Sequence, residues 1–333
     1  MKALQLTDQP DQRVQIREVP VPELSAGQAL VKIMAASLNH RDEWIRVGKY
    51  PHTRPFATLG SDGCGRVEQV ADAADAAWLG KLVVINPNID WGDNPAHQSA
   101  DYRILGNPTD GTLAEYLAVP VDRLHEKPAH LSAEQAAALS VASLTACRAV
   151  FRHSNLRPGS HVLVTGIGGG VAQFALQFAV AAGASVWVSS GQDDKIARAM
   201  AMGARGGVNY HQSDWDKQLQ ALTGGLDLVI DGAGGEGFAR LVKIMRPAGR
   251  IVFYGATMGL APAIDFYRTF FYQLQLIGST MGNDAEFVQM LQLVGSTKLL
   301  PIIDSVRPLA EAVEALDQMR SSQQFGKLIL LPG

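Results

Sequence analysis

The residues that decide the fold form one continuous run, Val162-Leu163-Val164-Thr165-Gly166-Ile167-Gly168-Gly169-Gly170-Val171-Ala172. A short apolar segment leads into four glycines within five residues, and an apolar stretch with helical character follows. Glycines permit a tight turn and let a phosphate approach the backbone, while the N-terminus of a helix offers free N–H groups and a positive dipole end. The pattern is G-x-G-G-G-x-A rather than a strict G-x-G-x-x-G, so its position between a strand and a helix carries the argument. The run predicts the pyrophosphate turn of a dinucleotide site.

Strands and helices alternate around this turn. The predicted strands are His161–Gly166, Ser185–Ser190, Gly207–Tyr210, Leu226–Asp231, Arg250–Gly255 and Leu274–Ser279, and the predicted helices include Val171–Ala182 and Asp194–Met202. The pattern changes near Pro128, where Ser132 and Gln135 have the spacing of a capping box and open an apolar helix, and the alternation runs from His161 onward. It is typical of βαβ units and a parallel sheet, which binds ligands at the carboxyl ends of its strands.

The segment before Pro128 has a different pattern, with short strands separated by prolines. Apolar and polar residues alternate over Ala29–Ala36, Gly65–Val70 and Lys81–Ile85. Proline is excluded from the interior of a sheet ladder, so these strands are short and the turns are frequent. The pattern predicts a β-rich domain over residues 1–127, built as a partly closed barrel or sandwich.

The C-terminal segment, residues 283–333, predicts two helices and a last strand. The helices cover Ala285–Val294 and Leu309–Met319, and the strand covers Lys327–Leu331. No helix follows this strand in the printed sequence, so we expect it to return to the sheet of the N-terminal domain. The predicted fold is therefore α/β, with a doubly wound Rossmann domain over residues 128–282 inserted into a β-rich domain.

Composition narrows the class of protein and the kind of partner. Of the 333 residues, 47% are hydrophobic and 18% are charged, which indicates a packed globular protein. The formal net charge is −3 and there is no long run of Lys or Arg, so neither nucleic acid nor an anionic membrane is expected as a partner. Cys64 and Cys147 are too few for a disulfide framework, and no signal peptide or membrane span is evident, so a cytoplasmic protein is expected.

The second predicted strand indicates which dinucleotide is bound. Its tip lies about 20 residues past the glycines, where proteins that bind NAD place a carboxylate on the ribose 2′-hydroxyl. Here the tip carries Ser189 and Ser190, which can donate to a 2′-phosphate, and Lys195 can add a positive charge. NADPH is therefore preferred over NADH. Asp193 and Asp194 argue the other way, but acidic residues also favour the first turn of a helix, and we interpret both as capping residues.

Six further motifs occur in a fixed order along the chain. They are Asn39-His40-Arg41-Asp42, Leu59-Gly60-Ser61-Asp62-Gly63-Cys64-Gly65, Asp110-Gly111-Thr112-Leu113-Ala114-Glu115-Tyr116, Leu144-Thr145-Ala146, Gly278-Ser279-Thr280-Met281-Gly282 and Phe325-Gly326-Lys327. With the glycine-rich turn, they give almost the whole chain a resemblance to the medium-chain dehydrogenase/reductase superfamily. That resemblance implies a GroES-like catalytic domain around the Rossmann domain.

The same resemblance implies where zinc ligands would lie. The catalytic positions fall on Asn39, on Ser61 and near Val141, and none of them is Cys or His. A catalytic zinc needs three protein ligands with N, S or carboxylate donors. The loop Asn88–Tyr102, where relatives carry the four cysteines of a structural zinc, has no cysteine. We expect neither zinc site, and the chain is similar to the zinc-free, zeta-crystallin-like quinone oxidoreductases, which transfer hydride from NADPH to quinones or α,β-unsaturated carbonyls.

The resemblance also assigns roles to individual residues. Asn39, Tyr50 and Thr145 would line the nicotinamide pocket, with Asn39 and Tyr50 as the catalytic pair. The cofactor residues would be Gly168, Gly169, Gly170 and Val171 at the pyrophosphate, Ser189, Ser190, Lys195 and Tyr210 at the 2′-phosphate, and Gly232, Ala233, Gly255 and Ala256 at the nicotinamide and its ribose. Tyr50 or a bound water would return the proton to the product.

Simpler interpretations stand beside these roles. Tyr50 and Tyr210 could be ordinary half-buried tyrosines, Asn39 and Asp42 could cap the following helix, and Asp62 could satisfy backbone donors in a turn. For the whole chain, two alternatives are a non-catalytic NADPH-binding sensor or scaffold and a zinc alcohol dehydrogenase with unusual ligands. The aromatic stretch Phe266–Tyr272 precedes the sixth strand of the Rossmann sheet, where a homodimer is expected to form.

Overall fold

Two structural units divide the chain. In the computed structural model, which describes residues 1–9 and 13–333, the first unit comprises residues 1–141 and 283–333, and the second comprises residues 142–282. The second unit is thus inserted into the first along the sequence. Residues 128–141, which the sequence pattern placed with the dinucleotide domain, lie in the first unit.

The first unit is rich in short strands. Its strands are β1 (Lys2–Leu6), β2 (Val14–Glu18), β3 (Gln28–Ser37), β4 (Asp62–Val70), β5 (Leu82–Ile85), β6 (Asn88–Ile89), β7 (Arg103–Ile104), β8 (Tyr116–Pro120) and β9 (Leu124–Glu126). Its helices before the insertion are α1 (His40–Arg46) and α2 (Ala133–Ala137), and α3 (Ser140–Cys147) begins in this unit and ends in the next. Ser132 caps α2 through the predicted capping box with Gln135.

The second unit alternates strands with helices. Its strands are β10 (His161–Val164), β11 (Ser185–Ser190), β12 (Gly206–Asn209), β13 (Leu226–Asp231), β14 (Met245–Phe253) and β15 (Gln275–Gly278). Its helices are α4 (Gly170–Ala181), α5 (Asp193–Ala201), α6 (Trp215–Thr223), α7 (Gly237–Lys243) and α8 (Phe266–Phe271). The chain then returns to the first unit through α9 (Asp284–Thr297), β16 (Ile303–Pro308), α10 (Ala312–Arg320) and β17 (Lys327–Leu331).

The six strands of the second unit form one parallel sheet in the order β12-β11-β10-β13-β14-β15. This is the doubly wound order of a Rossmann fold, and the order reverses between β10 and β13, where such sheets bind their ligands. The sequence located all six strands. It placed the start of β14 too late, at Arg250, because Pro247 and Gly249 interrupt the apolar pattern where the register against β13 shifts.

A seven-stranded sheet organises the first unit. Its order is β16-β17-β3-β4-β5-β9, and β8 also pairs with β3. The last strand, β17, pairs antiparallel with β3, with Ile329 opposite Ser37 and Leu330 opposite Ala36. The predicted return of the C-terminus to the N-terminal sheet is therefore confirmed. Buried apolar side chains such as Leu59 and Leu113 form the core of this unit.

No helix within residues 1–9 and 13–333 has both the length and the apolar character needed to cross a bilayer.

Three glycines of the first unit approach one another so closely that a side chain would not fit. A Cβ on Gly111 would lie 1.9 Å from the carbonyl oxygen of Gly60 and 2.6 Å from the Cα of Gly106. Gly111→Ala is therefore expected to lower the free energy of unfolding by about 2 kcal/mol or more, because backbone atoms must shift to accept the methyl group. The urea midpoint of unfolding measures this loss.

The matched control is Gly295→Ala, inside α9, where the same methyl group would meet no described atom within 4 Å. It should raise stability by about 0.5–1 kcal/mol, since alanine is the better helix former. Equal midpoints for the two variants would contradict the packing described for Gly111.

Candidate functional site

The glycine-rich turn joins β10 to α4 in the second unit. Gly166 has φ +62°, a conformation that other residues adopt at a cost, and Gly169 is the N-cap of α4. The backbone N–H of Ile167 donates to the carbonyl of Ser189 over 3.0 Å, which fixes the turn against β11. A Cβ on Gly166 would meet no described atom within 4 Å, so the turn faces open space. A Cβ on Gly169 would meet only the carbonyl oxygen of Gly166, at 3.5 Å, and Gly168, Gly169, Gly170 and Val171 follow one another through this turn into α4.

The tip of β11 gathers the residues expected at the 2′-phosphate. Ser189 and Ser190 are buried there, and the carbonyl of Ser190 accepts the backbone N–H of Tyr210 over 3.0 Å. The hydroxyl of Tyr210 lies 2.8 Å from where a Cβ of Gly191 would stand, so the phenol ring reaches the same tip. Lys195 is buried in the first turn of α5, the helix that follows.

Two neighbours of this tip bear on the choice of cofactor. Asp193 accepts a hydrogen bond from the Asn209 amide over 2.8 Å, so one of its oxygens is already bonded to the protein. His211 was missed by the sequence analysis. Its ring packs 4.8 Å from the ring of Tyr210, and its Nε2 lies 2.6 Å from the Cβ position of Gly191. Its place directly after Tyr210 was the available signal.

The turns after β13 and β14 contact each other. Met258 donates its backbone N–H to the carbonyl of Ala233 over 2.8 Å, and a Cβ on Gly255 would stand 3.0 Å from the oxygen of Gly232. Gly232, Ala233, Gly255 and Ala256, the four residues predicted near the nicotinamide, are thus brought together at the carboxyl ends of these strands. Thr145 lies buried on α3, with its hydroxyl 3.8 Å from the sulfur of Met281.

A buried carboxylate holds the turn after β13. Asp231 accepts the hydroxyl of Thr165 over 2.6 Å and the backbone N–H groups of Gly234 and Ala233 over 2.9 and 3.3 Å. Burial raises the pKa of Asp231, although these three donors favour the charged form. Sequence analysis identified the strand but not this role, for which the signal was an acidic residue ending an apolar strand just before Gly232.

In the first unit, Asn39 lies at the end of β3 beside a buried ion pair. The Lys327 ammonium donates to Oδ1 of Asn39 over 2.7 Å and to Asp62 over 2.9 Å, and both Lys327 and Asp62 are buried. The simpler interpretation of Asp62 was that it satisfies backbone donors in a turn. The structure gives it further partners. Asp62 accepts the backbone N–H of Val141 and the hydroxyl of Ser37 as well, over 2.8 and 3.0 Å.

The helix that follows Asn39 carries titratable side chains in its first turn, and burial raises the pKa of Asp42. The carboxylate of Asp42 accepts the backbone N–H of Asn39 over 2.8 Å, which is the predicted capping contact. Burial and the charge of Lys327 lower the pKa of His40 to about 4, so its imidazole is neutral at neutral pH. Tyr50 is half-buried beyond the end of α1, with the guanidinium of Arg41 5.1 Å from its ring centroid.

The positions expected for a catalytic zinc do not fit the metal. The Ser61 hydroxyl donates to the carbonyl of Leu105 over 2.7 Å and accepts the buried Arg41 guanidinium over 2.5 Å. The Asn39 oxygen faces Lys327, and Val141 has no donor atom in its side chain. Within the part of the chain that the structure describes, no group of three or more His, Cys, Asp and Glu side chains is placed to hold a metal ion.

The loop expected for a structural zinc is held by polar contacts. Trp91 packs edge-to-face against Tyr102, with ring centroids 5.1 Å apart, and Asp90 pairs with Arg103. His97 hydrogen-bonds the side chain of Asn94 over 2.9 Å and the carbonyl of Gln98 over 2.9 Å. Direct hydrogen bonds and one aromatic pair therefore organise this loop.

Comparison with family models identifies both units. Residues 25–129 match the alcohol dehydrogenase GroES-like domain, and residues 170–296 match the zinc-binding dehydrogenase model. The two matches follow the order predicted from the sequence, a β-rich catalytic domain followed by the dinucleotide-binding domain.

Individual relatives extend this similarity over nearly the whole chain. A zinc-type alcohol dehydrogenase-like protein of Leptosphaeria maculans is 35% identical over 95% of this chain and 94% of its own. A crotonyl-CoA reductase of Streptomyces collinus is 30% identical over 97% of this chain and 82% of its own. The solved structure of an NAD-dependent alcohol dehydrogenase superposes with a TM-score of 0.92 at 36% identity, covering 100% of both chains.

Proposed function

The chain belongs to the medium-chain dehydrogenase/reductase superfamily and is an oxidoreductase of that family, and on that premise we propose that it reduces a quinone or an α,β-unsaturated carbonyl with NADPH and without zinc. One observation carries the proposal. The positions at which the family would place zinc ligands hold Asn39, Ser61 and Val141, and the first two are hydrogen-bonded to the buried cations Lys327 and Arg41. The crotonyl-CoA reductase among the relatives adds support, because a crotonyl group is an α,β-unsaturated acyl group.

The direction of the reaction follows from the missing metal ligands. A zinc ion acts as a Lewis acid that lowers the pKa of an alcohol before hydride is removed. Without it, an acceptor that is already electrophilic is the easier substrate, since hydrogen bonds suffice to stabilise the charge that develops on its oxygen. When bound, the reduced nicotinamide supplies the hydride. Asn39 and Tyr50 act on the acceptor, and Tyr50 or a bound water returns the proton.

The second unit supplies the cofactor contacts in this proposal. The cradle of Gly168, Gly169, Gly170 and Val171 receives the pyrophosphate at the N-terminus of α4, where the helix dipole and free N–H groups favour an anion. The turns carrying Gly232, Ala233, Gly255 and Ala256 flank the nicotinamide and its ribose, together with Thr145. A Cβ on Gly232 would stand 2.6 Å from the ring of Tyr254 and one on Gly255 3.0 Å from the oxygen of Gly232, so glycine at both positions lets these turns pack closely.

The choice of NADPH rests on the tip of β11. NAD-dependent relatives, such as the solved alcohol dehydrogenase, make NADH the competing cofactor. Here Ser189, Ser190 and Tyr210 offer hydroxyl groups, Lys195 offers a positive charge, and Asp193 is bonded to Asn209. A 2′-phosphate meets donors and a cation at such a tip, whereas the ribose of NAD is usually held by a free carboxylate.

The proposed activity predicts turnover with NADPH across a panel of quinones, enals and enones. Consumption of NADPH, followed at its absorbance band, should depend on the acceptor and persist after dialysis against a chelator, because no metal takes part. Cofactor binding without turnover on any acceptor would favour the sensor or scaffold, and stoichiometric zinc by elemental analysis would favour the alcohol dehydrogenase.

Cofactor selectivity is predicted to depend on Lys195. Lys195→Ala should weaken NADPH binding by about 10- to 100-fold, the usual contribution of a charge-assisted hydrogen bond to a phosphate, and should leave NADH binding unchanged. Fluorescence titration with each cofactor gives both dissociation constants. Lys217→Ala, an exposed lysine on α6, is the control and should alter neither. An equal loss for NADPH and NADH would count against a 2′-phosphate contact.

A homodimer is part of the proposal, and α8 and β15 support it. Phe266, Tyr267, Phe270 and Phe271 on α8 are 64–75% exposed. In the described residues β15 has one neighbour in the sheet, β14, so its other edge can pair with a second copy.

Phe270→Asp is expected to shift sedimentation from dimer to monomer, whereas Leu222→Asp, at a similarly exposed position on α6, should not. A monomeric unmodified protein at micromolar concentration would exclude this arrangement.

A further inference from the structure

We infer that Lys327, paired with Asp62, is a positioning residue that turns the Asn39 side chain so that its Nδ2 donates a hydrogen bond to the oxygen of the acceptor. The inference rests on the proposed function, because it assigns the atom that stabilises the developing charge in that reaction. Lys327 itself touches neither cofactor nor acceptor in this scheme, and it acts through Asn39.

The hydrogen bonds of Lys327 leave its ammonium a single position. Its Nζ donates to the carbonyl of Leu38 over 2.7 Å, to Oδ1 of Asn39 over 2.7 Å and to Asp62 over 2.9 Å. An ammonium group has three donors, so these three acceptors saturate it. Only 4% of the Lys327 surface is exposed, and the buried charge is balanced by Asp62. The cation, on β17, is therefore held by the two residues that follow β3 and by the first residue of β4.

This contact decides which way the Asn39 amide points. The oxygen and nitrogen of an amide are nearly the same in shape, so its orientation is set by the hydrogen bonds around it. An ammonium can only donate, and it therefore selects the oxygen, Oδ1, and turns Nδ2 away. The backbone N–H of Asn39 is bonded to Asp42, which fixes the other end of the residue.

The nitrogen that is turned away has no partner. Asn39 is 8% exposed, and among the described residues its Nδ2 is a buried donor without a hydrogen bond. Leaving such a donor unpaired costs about 1–3 kcal/mol, and buried polar groups are rarely left in that state. A donor kept free beside a saturated cation is typical of a site that meets its acceptor in a bound ligand. The Lys327 charge on Oδ1 also polarises the amide and strengthens Nδ2 as a donor.

The reaction balances without any change in the charge of this cluster. The β-carbon of an unsaturated carbonyl gains the hydride, and the electron pair of the C=C bond forms a double bond between the α-carbon and the carbonyl carbon. The π pair of the carbonyl then moves onto its oxygen, and oxidised cofactor remains. Nδ2 of Asn39 donates to the resulting enolate oxygen and keeps its proton. The α-carbon then takes a proton from water or Tyr50, which gives the saturated product. For a quinone, the hydride and one proton give the hydroquinone.

The test uses the full-length protein and begins with Asn39→Asp. This variant keeps an oxygen for Lys327 and replaces only the donor, so kcat should fall by about 10²- to 10³-fold, as when an oxyanion donor is removed. The dissociation constant for NADPH should stay unchanged. Lys327→Met should lower kcat by about 10- to 100-fold on the native background and have no further effect on the Asn39→Asp background. Lys81→Met, an exposed lysine of the same unit, should leave kcat unchanged.

A readout independent of turnover follows the amide itself. In the NMR spectrum of protein labelled with ¹⁵N-asparagine, the pair of side-chain NH₂ signals that belongs to Asn39 is identified by its absence from the Asn39→Asp variant. It should shift in Lys327→Met and stay in place in Lys81→Met. An unshifted pair, a kcat for Asn39→Asp within threefold of the unmodified protein, or equal losses from Lys327→Met on both backgrounds would overturn the inference. Unmodified protein that binds NADPH but reduces no acceptor would instead refute the proposed function, and the amide signal would still test the positioning.

Discussion

A buried ammonium group with three fixed acceptors is the constraint on which the first unit depends. Lys327 is the first residue of the last strand, and its partners come from the end of β3 and the start of β4. A buried charge is tolerated only when it is paired and hydrogen-bonded, and losing one partner of such a pair typically costs about 3–5 kcal/mol. The same ammonium group thus joins the last strand, the start of β4 and the side chain of Asn39.

The need to pair buried charges also explains which contacts are made at the positions expected for zinc ligands. A metal ion there would need anionic or imidazole ligands, but Arg41 and Lys327 bring positive charge that neutral oxygens and Asp62 accept instead. In the reaction we propose, charge stabilisation falls to hydrogen bonds, which suit an acceptor that is already electrophilic. In the second unit, the groups offered to a cofactor are mainly backbone atoms. The glycine turn and the turn held by Asp231 present N–H groups and space rather than reactive side chains.

The sequence predicted the features that depend on local pattern. The glycine turn, the six strands of the Rossmann sheet and the return of Lys327–Leu331 follow from periodicity and turn residues, and the structure confirms them. Contacts between distant residues were out of reach. Lys327 was quoted within a motif, but its partner Asp62 is 265 positions away, and no spacing rule joins them. His211 and Asp231 carried a local signal, next to Tyr210 and before Gly232, but their contacts form only where neighbouring strand ends meet.

In the proposed reaction a lysine-oriented amide, rather than a metal ion, meets the oxygen of the acceptor. A crystal structure of the protein with NADP⁺ and a saturated ketone, a pair between which no hydride can pass, tests this most directly. We expect the ketone oxygen within about 2.7–3.2 Å of Nδ2 of Asn39, with Oδ1 still on Lys327. Metal density between residues 39, 61 and 141, or a ketone oxygen away from Asn39, would contradict it.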